Sequence, residues 1–302
     1  MQKYLIVLTG PTGIGKTDVG IKIAKHFNTE IISSDSRQIF KELTIGTAVP
    51  GANELTAVKH HFIQTHSIEE NYNASRFEND TLHLINSIFK KYDLVLMVGG
   101  SMLYIDAVCN GIDIMPDVDP EIRKSLKDKF ENEGLESLRF LLKKLDPDYY
   151  NSVDLKNPNR LIHALEICIM TGKPYSSFRS NPKKNRSFSI IKIGLNCERK
   201  ALHNRINSRV DQMIDAGLEH EARNLYHLKH LNSLNTVGYR ELFAFFDGET
   251  TREKAIELIK RNSRRYARKQ LTWFRNDTEM NWFKTEQSGE IITFIENQIS
   301  GK

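Results

Sequence analysis

Cysteine is scarce in this 302-residue chain: Cys109, Cys168 and Cys197 are odd in number, far apart, and form no C-x-x-C pair. That excludes a disulfide framework and a cysteine zinc site, leaving reduced, buried thiols as the expected state. His60-His61 has no third ligand beside it, so the pair is read as structural. Long apolar runs are missing too. Nothing approaches the ~20 residues of a membrane-spanning helix. The chain opens directly into an apolar strand, so no signal peptide is expected and a cytoplasmic location is the default. Repeats and low-complexity tracts are absent. With 39% apolar and 27% charged residues, the length suits one large α/β domain carrying an insertion, or two domains.

What is present starts at Gly10-Pro11-Thr12-Gly13-Ile14-Gly15-Lys16-Thr17, which completes the pattern G-x-x-x-x-G-K-[ST]. An apolar run at residues 4–8 reads as a buried parallel strand, and Val19, Ile21, Ile23, Ala24 and Phe27 suit a helix. In that strand–loop–helix setting, glycines let backbone N–H groups turn toward phosphate oxygens and the helix N-terminus adds its positive end. Lys16 supplies a cation, and the Thr17 hydroxyl suits the shell of a Mg2+ ion. The pattern implies a polyphosphate site.

The fold class is α/β. Residues 1–118 and 187–302 are read as a P-loop NTPase-like parallel-sheet core with a helical C-terminal part. Strands are expected at 29–34, 94–98 and 187–195, and only helices beyond Arg199. The signal Met115-Pro116-Asp117-Val118-Asp119-Pro120 opens an inserted all-helical domain, residues 119–186, with helices expected over 121–130, 135–144 and 159–170. In open α/β sheets the ligand crevice lies at the carboxyl ends of the strands, which brings Asp35-Ser36-Arg37-Gln38 and Gly99-Gly100-Ser101 to the border of the P-loop.

Charge is unevenly distributed. Residues 252–275 carry nine Lys/Arg against Glu253 and Glu257, more net positive charge than the +5 of the whole chain. Tyr266, Trp273 and Phe274 interleave with these cations, which suits phosphates and stacked bases; a solvated helix face is the plain alternative.

Two further absences narrow the chemistry. The strand at 94–98 ends in Gly99-Gly100 rather than a magnesium-associated aspartate, and no Asn-Lys-x-Asp motif appears. A switch or motor ATPase is therefore disfavoured. Asp35 is the acid best placed for chemistry, with a turn or helix cap as its other reading.

The wider pattern resembles the tRNA dimethylallyltransferases, also called tRNA isopentenyltransferases. The similarity runs through Ser33-Ser34-Asp35-Ser36-Arg37-Gln38-Ile39-Phe40, Thr44-Ile45-Gly46-Thr47-Ala48, His60-His61-Phe62-Ile63 and Gly99-Gly100-Ser101-Met102-Leu103-Tyr104. It continues through Asn157-Pro158-Asn159-Arg160, Asp215-Ala216-Gly217-Leu218 and Gly238-Tyr239-Arg240-Glu241, and closes on residues 265–275. Departures are Ser101-Met102 where the family has Thr-Gly, and Gln64 where it has a carboxylate. The eukaryotic C-terminal zinc finger is absent, pointing to the bacterial type.

The resemblance implies transfer of a dimethylallyl group from dimethylallyl diphosphate to N6 of adenine 37 in tRNAs reading codons that begin with U, with Mg2+ as cofactor. It implies that residues 10–17 hold the diphosphate, that Thr17 ligates the metal, and that Asp35 is general base beside Lys16, Thr17 and Ser101. It places contacts to the tRNA anticodon stem-loop at Asp35, Ser36, Arg37, Gln38, Ser101 and Arg240. In the insertion it places them at Arg123, Asn159, Arg160, Leu161, Ile162 and His163. A monomer without membrane contact is expected. A small-molecule P-loop kinase, an adenylate isopentenyltransferase acting on free nucleotide, and a non-catalytic RNA-binding module stand as rivals.

Overall fold

The computed structural model describes residues 2–113, 115–116, 119–179 and 184–301. The chain runs β1 (Tyr4–Thr9), α1 (Lys16–His26), β2 (Ile31–Ser34), α2 (Ala52–Ala57), β3 (His60–His61), α3 (Ala74–Ile88), β4 (Leu94–Gly99) and α4 (Met102–Asn110). Four helices follow: α5 (Pro120–Glu133), α6 (Leu135–Leu145), α7 (Pro147–Ser152) and α8 (Pro158–Thr171). The remainder is β5 (Ser189–Asn196), α9 (Arg199–Asp215), α10 (Leu218–Asn224), α11 (Tyr239–Phe246), α12 (Arg252–Arg275), β6 (Met280–Lys284) and α13 (Ser288–Ser300). Two compact units result, Met1–Cys109 with Asn185–Lys302, and Asn110–Lys184. Asp117 and Val118, at the expected break, lie outside the described residues.

In the larger unit the strands form one parallel sheet in the order β3-β2-β4-β1-β5-β6. β1 is central and apolar throughout its middle because both of its faces are covered. Its side chains alternate between two cores: Leu5 and Val7 enter one cluster, Ile6 and Leu8 the other. Since β1, β2 and β4 all point the same way, their carboxyl ends gather residues 10–17, 35–38 and 99–101 at one edge of the sheet.

The C-terminal part departs from the all-helical expectation. β6 pairs in parallel with β5, and its Trp282 lies where a side chain at Gly194 would stand, 2.7 Å from that position. Met-Asn-Trp-Phe-Lys is a short edge strand without alternation. Its identity comes from pairing with a partner some ninety residues away rather than from local pattern. His60-His61 forms a two-residue edge strand, with His61 Nε2 2.6 Å from Glu30 Oε2 and His60 Nδ1 2.8 Å from the Val58 carbonyl. These histidines are structural.

The helical unit has its own core, centred on Leu138, Leu142, Leu161, Leu165 and Ile167. The same punctuation opens α5, α7 and α8: Asp119, Asp146 and Asn157 accept a backbone N–H through the side chain, and Pro120, Pro147 and Pro158 follow at the first helical position. α7, unexpected from sequence periodicity because it is six residues long, starts on this signal.

Candidate active site

The loop after β1 turns sharply because its glycines permit it. Gly15 caps α1 at φ +99°, a left-handed conformation that other residues adopt at a cost, and a side chain at Gly10 would meet the Leu195 carbonyl at 2.9 Å. Ile14 is fully buried beneath the turn, and its carbonyl accepts hydrogen bonds from Arg205 and from the Thr285 hydroxyl, both at 3.2 Å. Lys16 Nζ folds back to donate to the Gly10 and Pro11 carbonyls, each at 3.0 Å. Burial, reinforced by the Arg209 charge and opposed by Asp35, lowers Lys16 to about 8. Thr17 stands on the first turn of α1.

At the end of β2, Asp35 closes a turn: Oδ1 accepts from the backbone N–H groups of Arg37 (2.9 Å) and Gln38 (3.3 Å). The carboxylate is thus held in one orientation by the chain that follows it. Ser101, just past β4, accepts the Ser36 N–H at 2.8 Å and donates to the Ser36 hydroxyl at 3.1 Å, fastening the two strand ends together. Gln38, expected among the tRNA contacts, is half-buried and bonded to the loop that follows it. Its Nε2 donates to the Thr47 and Ala48 carbonyls (3.1 and 2.9 Å), and the Ser33 hydroxyl reaches its Oε1 at 3.4 Å. With its N–H groups so occupied, the side-chain amide braces this loop.

A cavity of about 650 Å3 opens here. Of the residues singled out from sequence, Thr12, Asp35, Ser36, Arg37, Ser101 and Arg240 all line it. Facing them are Arg209 from α9 and Arg265, Tyr266, Arg268 and Lys269 from α12. Burial lowers Arg37 and Arg209 from the usual arginine range, with nearby Asp35 opposing in both cases. Burial together with Asp35 pushes Tyr266 up to about 12. Such a wall, dense in cations around one carboxylate, favours a polyanion.

The loop at 44–47 supplies another side of the cavity and is fixed by a residue that sequence reading missed. Glu221 accepts the backbone N–H groups of Thr44 (3.0 Å), Ile45 (2.8 Å) and Gly46 (2.9 Å), and the Tyr239 hydroxyl at 2.6 Å. Gly46 is required because a side chain there would stand 2.6 Å from that hydroxyl. Arg209 was missed as well, although its i+4 spacing from Arg205, interleaved with Ile206 and Val210, is legible in the sequence as one face of α9. Gln64, where the family has a carboxylate, donates to the Lys41 carbonyl (3.0 Å) and the Thr44 hydroxyl (2.8 Å).

In the helical unit the candidates divide. Asn159 and Arg160 are exposed and His163 is half-buried at the start of α8. Leu161 and Ile162, expected at an RNA surface, are instead core residues. They occupy the helix face opposite Asn159 and Arg160, so their side chains are not presented to solvent. Arg123 is paired with the buried carboxylate of Glu166 through Nε–Oε1 and through Nη2–Oε2 (2.7 Å). Burial alone would raise Glu166, but Arg123 and then His163 more than reverse it, holding it below the usual carboxylate range.

Fold and site together define a class: a P-loop-like α/β protein whose glycine-rich turn leads into a cation-lined cavity holding one oriented carboxylate. The model of the IPP transferase family matches residues 38–277. Over 98% of this chain and 99% of its own length, tRNA dimethylallyltransferase 1 of Bacteroides fragilis is 52% identical; the tRNA dimethylallyltransferase of Christiangramia forsetii is 54% identical over 99% and 100%. The crystal structure of the tRNA isopentenylpyrophosphate transferase of Bacillus halodurans superimposes with a TM-score of 0.74 at 35% identity, covering 100% of this chain and 98% of that one. A eukaryotic dimethylallyltransferase, described as acting on tRNA, superimposes at 0.83 and 26% identity over 99% of this chain and 80% of that one. The chain belongs to this family of tRNA prenyltransferases.

Among the described residues no group of three or more His, Cys, Asp and Glu could hold a metal, and no helix is long and apolar enough to cross a membrane. Magnesium fits the donor set nonetheless, because it is commonly held by few protein oxygens, with substrate phosphates and water completing its shell.

Proposed function

We propose that this chain transfers the dimethylallyl group of dimethylallyl diphosphate to N6 of adenine 37 in tRNAs reading codons that begin with U, yielding N6-(dimethylallyl)adenosine and diphosphate. The observation that carries this reading is the position of Asp35: it lies on the wall of the cation-lined cavity that Thr12 of the P-loop also lines. Backbone amides of Gly13 and of residues 15–17, together with the Lys16 ammonium, are suited to neutralise charge that grows on the diphosphate as its carbon–oxygen bond breaks, the kind of stabilisation that usually dominates catalysis; the Thr12 and Ile14 N–H groups are taken up by Gln270 and by the Pro11 carbonyl. Thr17 would hold a magnesium ion, which when bound adds positive charge beside the same leaving group.

Adenine N6 is a weak nucleophile because its lone pair is delocalised into the ring. Asp35 Oδ1 is occupied by the turn, while Oδ2 has no hydrogen-bond partner among the described residues. Oδ2 is therefore the oxygen that would accept the N6 proton as the N6–carbon bond forms and the carbon–oxygen bond breaks. Reaching that oxygen requires the base to leave its stack. Arg37, Arg240 and the α12 cations supply charge for the flanking phosphates, and family membership supports tRNA as the polyanion. A cytoplasmic monomer is part of the same proposal.

The test supplies the protein and magnesium with labelled dimethylallyl diphosphate and either an anticodon stem-loop containing A36-A37 or AMP. Label on the stem-loop, and none on AMP, is expected. Label on AMP alone would assign the chain to free-nucleotide prenylation. Asp35→Ala should bind inorganic diphosphate as the parent does while turnover falls by roughly 10²–10⁴-fold.

A further inference from the structure

The P-loop is braced by a residue outside it. Gln270, on α12 and 2% exposed, accepts the backbone N–H of Thr12 through Oε1 at 2.8 Å and donates from Nε2 to the Gly100 carbonyl at 2.8 Å. One buried amide thus ties together the loop after β1, the end of β4 and the helix that carries Arg265, Tyr266, Arg268 and Lys269 into the cavity. Its seat is tailored. A side chain at Gly100 would stand 2.4 Å from Gln270 Nε2, 3.4 Å from the Gly10 carbonyl and 3.5 Å from Lys16 Nζ.

The consequence for the cradle is specific. The Thr12 N–H points at Gln270 of α12. Residues 10–12 are thereby pinned at the mouth of the loop, where the Gly10 and Pro11 carbonyls receive the Lys16 ammonium. We propose that Gln270 is a positioning residue: without touching substrate, it presets the diphosphate cradle and fixes its distance from the cationic α12 wall. This inference rests on residues 10–17 being the diphosphate site.

Gln270→Glu keeps the acceptor for Thr12 but sets a carboxylate oxygen against the Gly100 carbonyl. Gln270→Leu removes both bonds and leaves two buried backbone groups unsatisfied. For each variant, KM for dimethylallyl diphosphate, kcat at saturating substrates, and Kd for the anticodon stem-loop by fluorescence anisotropy are measured beside the parent protein. The expected pattern is a donor KM raised roughly tenfold or more in Gln270→Leu, a smaller rise in Gln270→Glu, and stem-loop Kd within about twofold of the parent. An unchanged donor KM overturns the proposal. So does a parallel loss of donor binding, RNA binding and thermal midpoint, which would make Gln270 a general packing residue. If Gln270→Leu does not fold, the near-isosteric Gln270→Glu carries the test alone. Failure of the parent protein itself to bind the donor or inorganic diphosphate would instead refute the cradle, a distinct outcome.

Discussion

The Glu221 clamp offers a prediction that can be worked through in numbers. Glu221→Ala removes the acceptor of three backbone N–H groups and of the Tyr239 hydroxyl. The Thr44 amide is exposed and those of Ile45 and Gly46 are part-buried, so water can replace part of what they lose. Tyr239 is fully buried, so its hydroxyl proton is left without its carboxylate acceptor, at a cost of about 1–3 kcal/mol. Adding the weakened loop bonds gives a total of about 3 kcal/mol, which at 2–4 °C per kcal/mol lowers Tm by roughly 6–12 °C. The decisive comparison is a double-mutant cycle read by thermal melts. Tyr239→Phe alone should destabilise, because it breaks a hydrogen bond to a carboxylate. In the Glu221→Ala background the same change deletes the orphaned hydroxyl and should be neutral or stabilising, a coupling of about 1 kcal/mol or more. Glu221→Ala melting within about 1 °C of the parent would refute the reasoning. Equal and additive losses from Tyr239→Phe in both backgrounds would refute it too.

Other outcomes follow from the same geometry. Arg123→Met strands the buried Glu166 carboxylate and should destabilise the helical unit by about 2–3 kcal/mol, less than the cost at a fully buried pair because Arg123 is partly exposed; Glu166→Gln in the same chain should restore part of the urea midpoint, which a role for Arg123 confined to RNA contact would not produce. Tyr104 is raised to about 12 and Tyr239 is raised as well, in each case chiefly by burial. Below about pH 10 this stabilisation is fully present. Between pH 10 and 12 the unfolded chain releases phenolic protons that the folded chain retains, so the urea midpoint should fall with rising pH, less steeply in Tyr239→Phe. Stem-loop affinity should fall steeply with salt, and replacing Arg265 and Arg268 with Ala should reduce the log–log slope by roughly one per lost phosphate contact; an unchanged slope would remove those arginines from the interface.

Much was settled by local chemistry. The pattern at residues 10–17 marks its turn in the sequence even though distant residues brace it, and the apolar run of β1 announces a strand buried on both faces. Asp-Pro and Asn-Pro caps opened three helices where they stand. Charge density along α12 is likewise a property of consecutive residues. These features depend on backbone conformation and periodicity, which a linear reading captures. Asp35 shows the limit: its turn-capping and its catalytic reading were posed as alternatives, yet the structure gives one oxygen to the turn and leaves the other available.

What only the folded chain decided depends on partners distant in sequence. Gln270 meets Thr12 across 258 positions and Glu221 meets Gly46 across 175, and neither bond leaves a periodic trace. Leu161 stands in a motif expected to meet RNA, but burial drew its side chain into a core, and Gln38 braces its loop through carbonyls nine and ten residues on. β6 became a strand because β5 offered it an edge. Sequence specified which groups carry charge and where the backbone can bend; long-range packing specified which of those groups are desolvated, oriented and left facing one cavity.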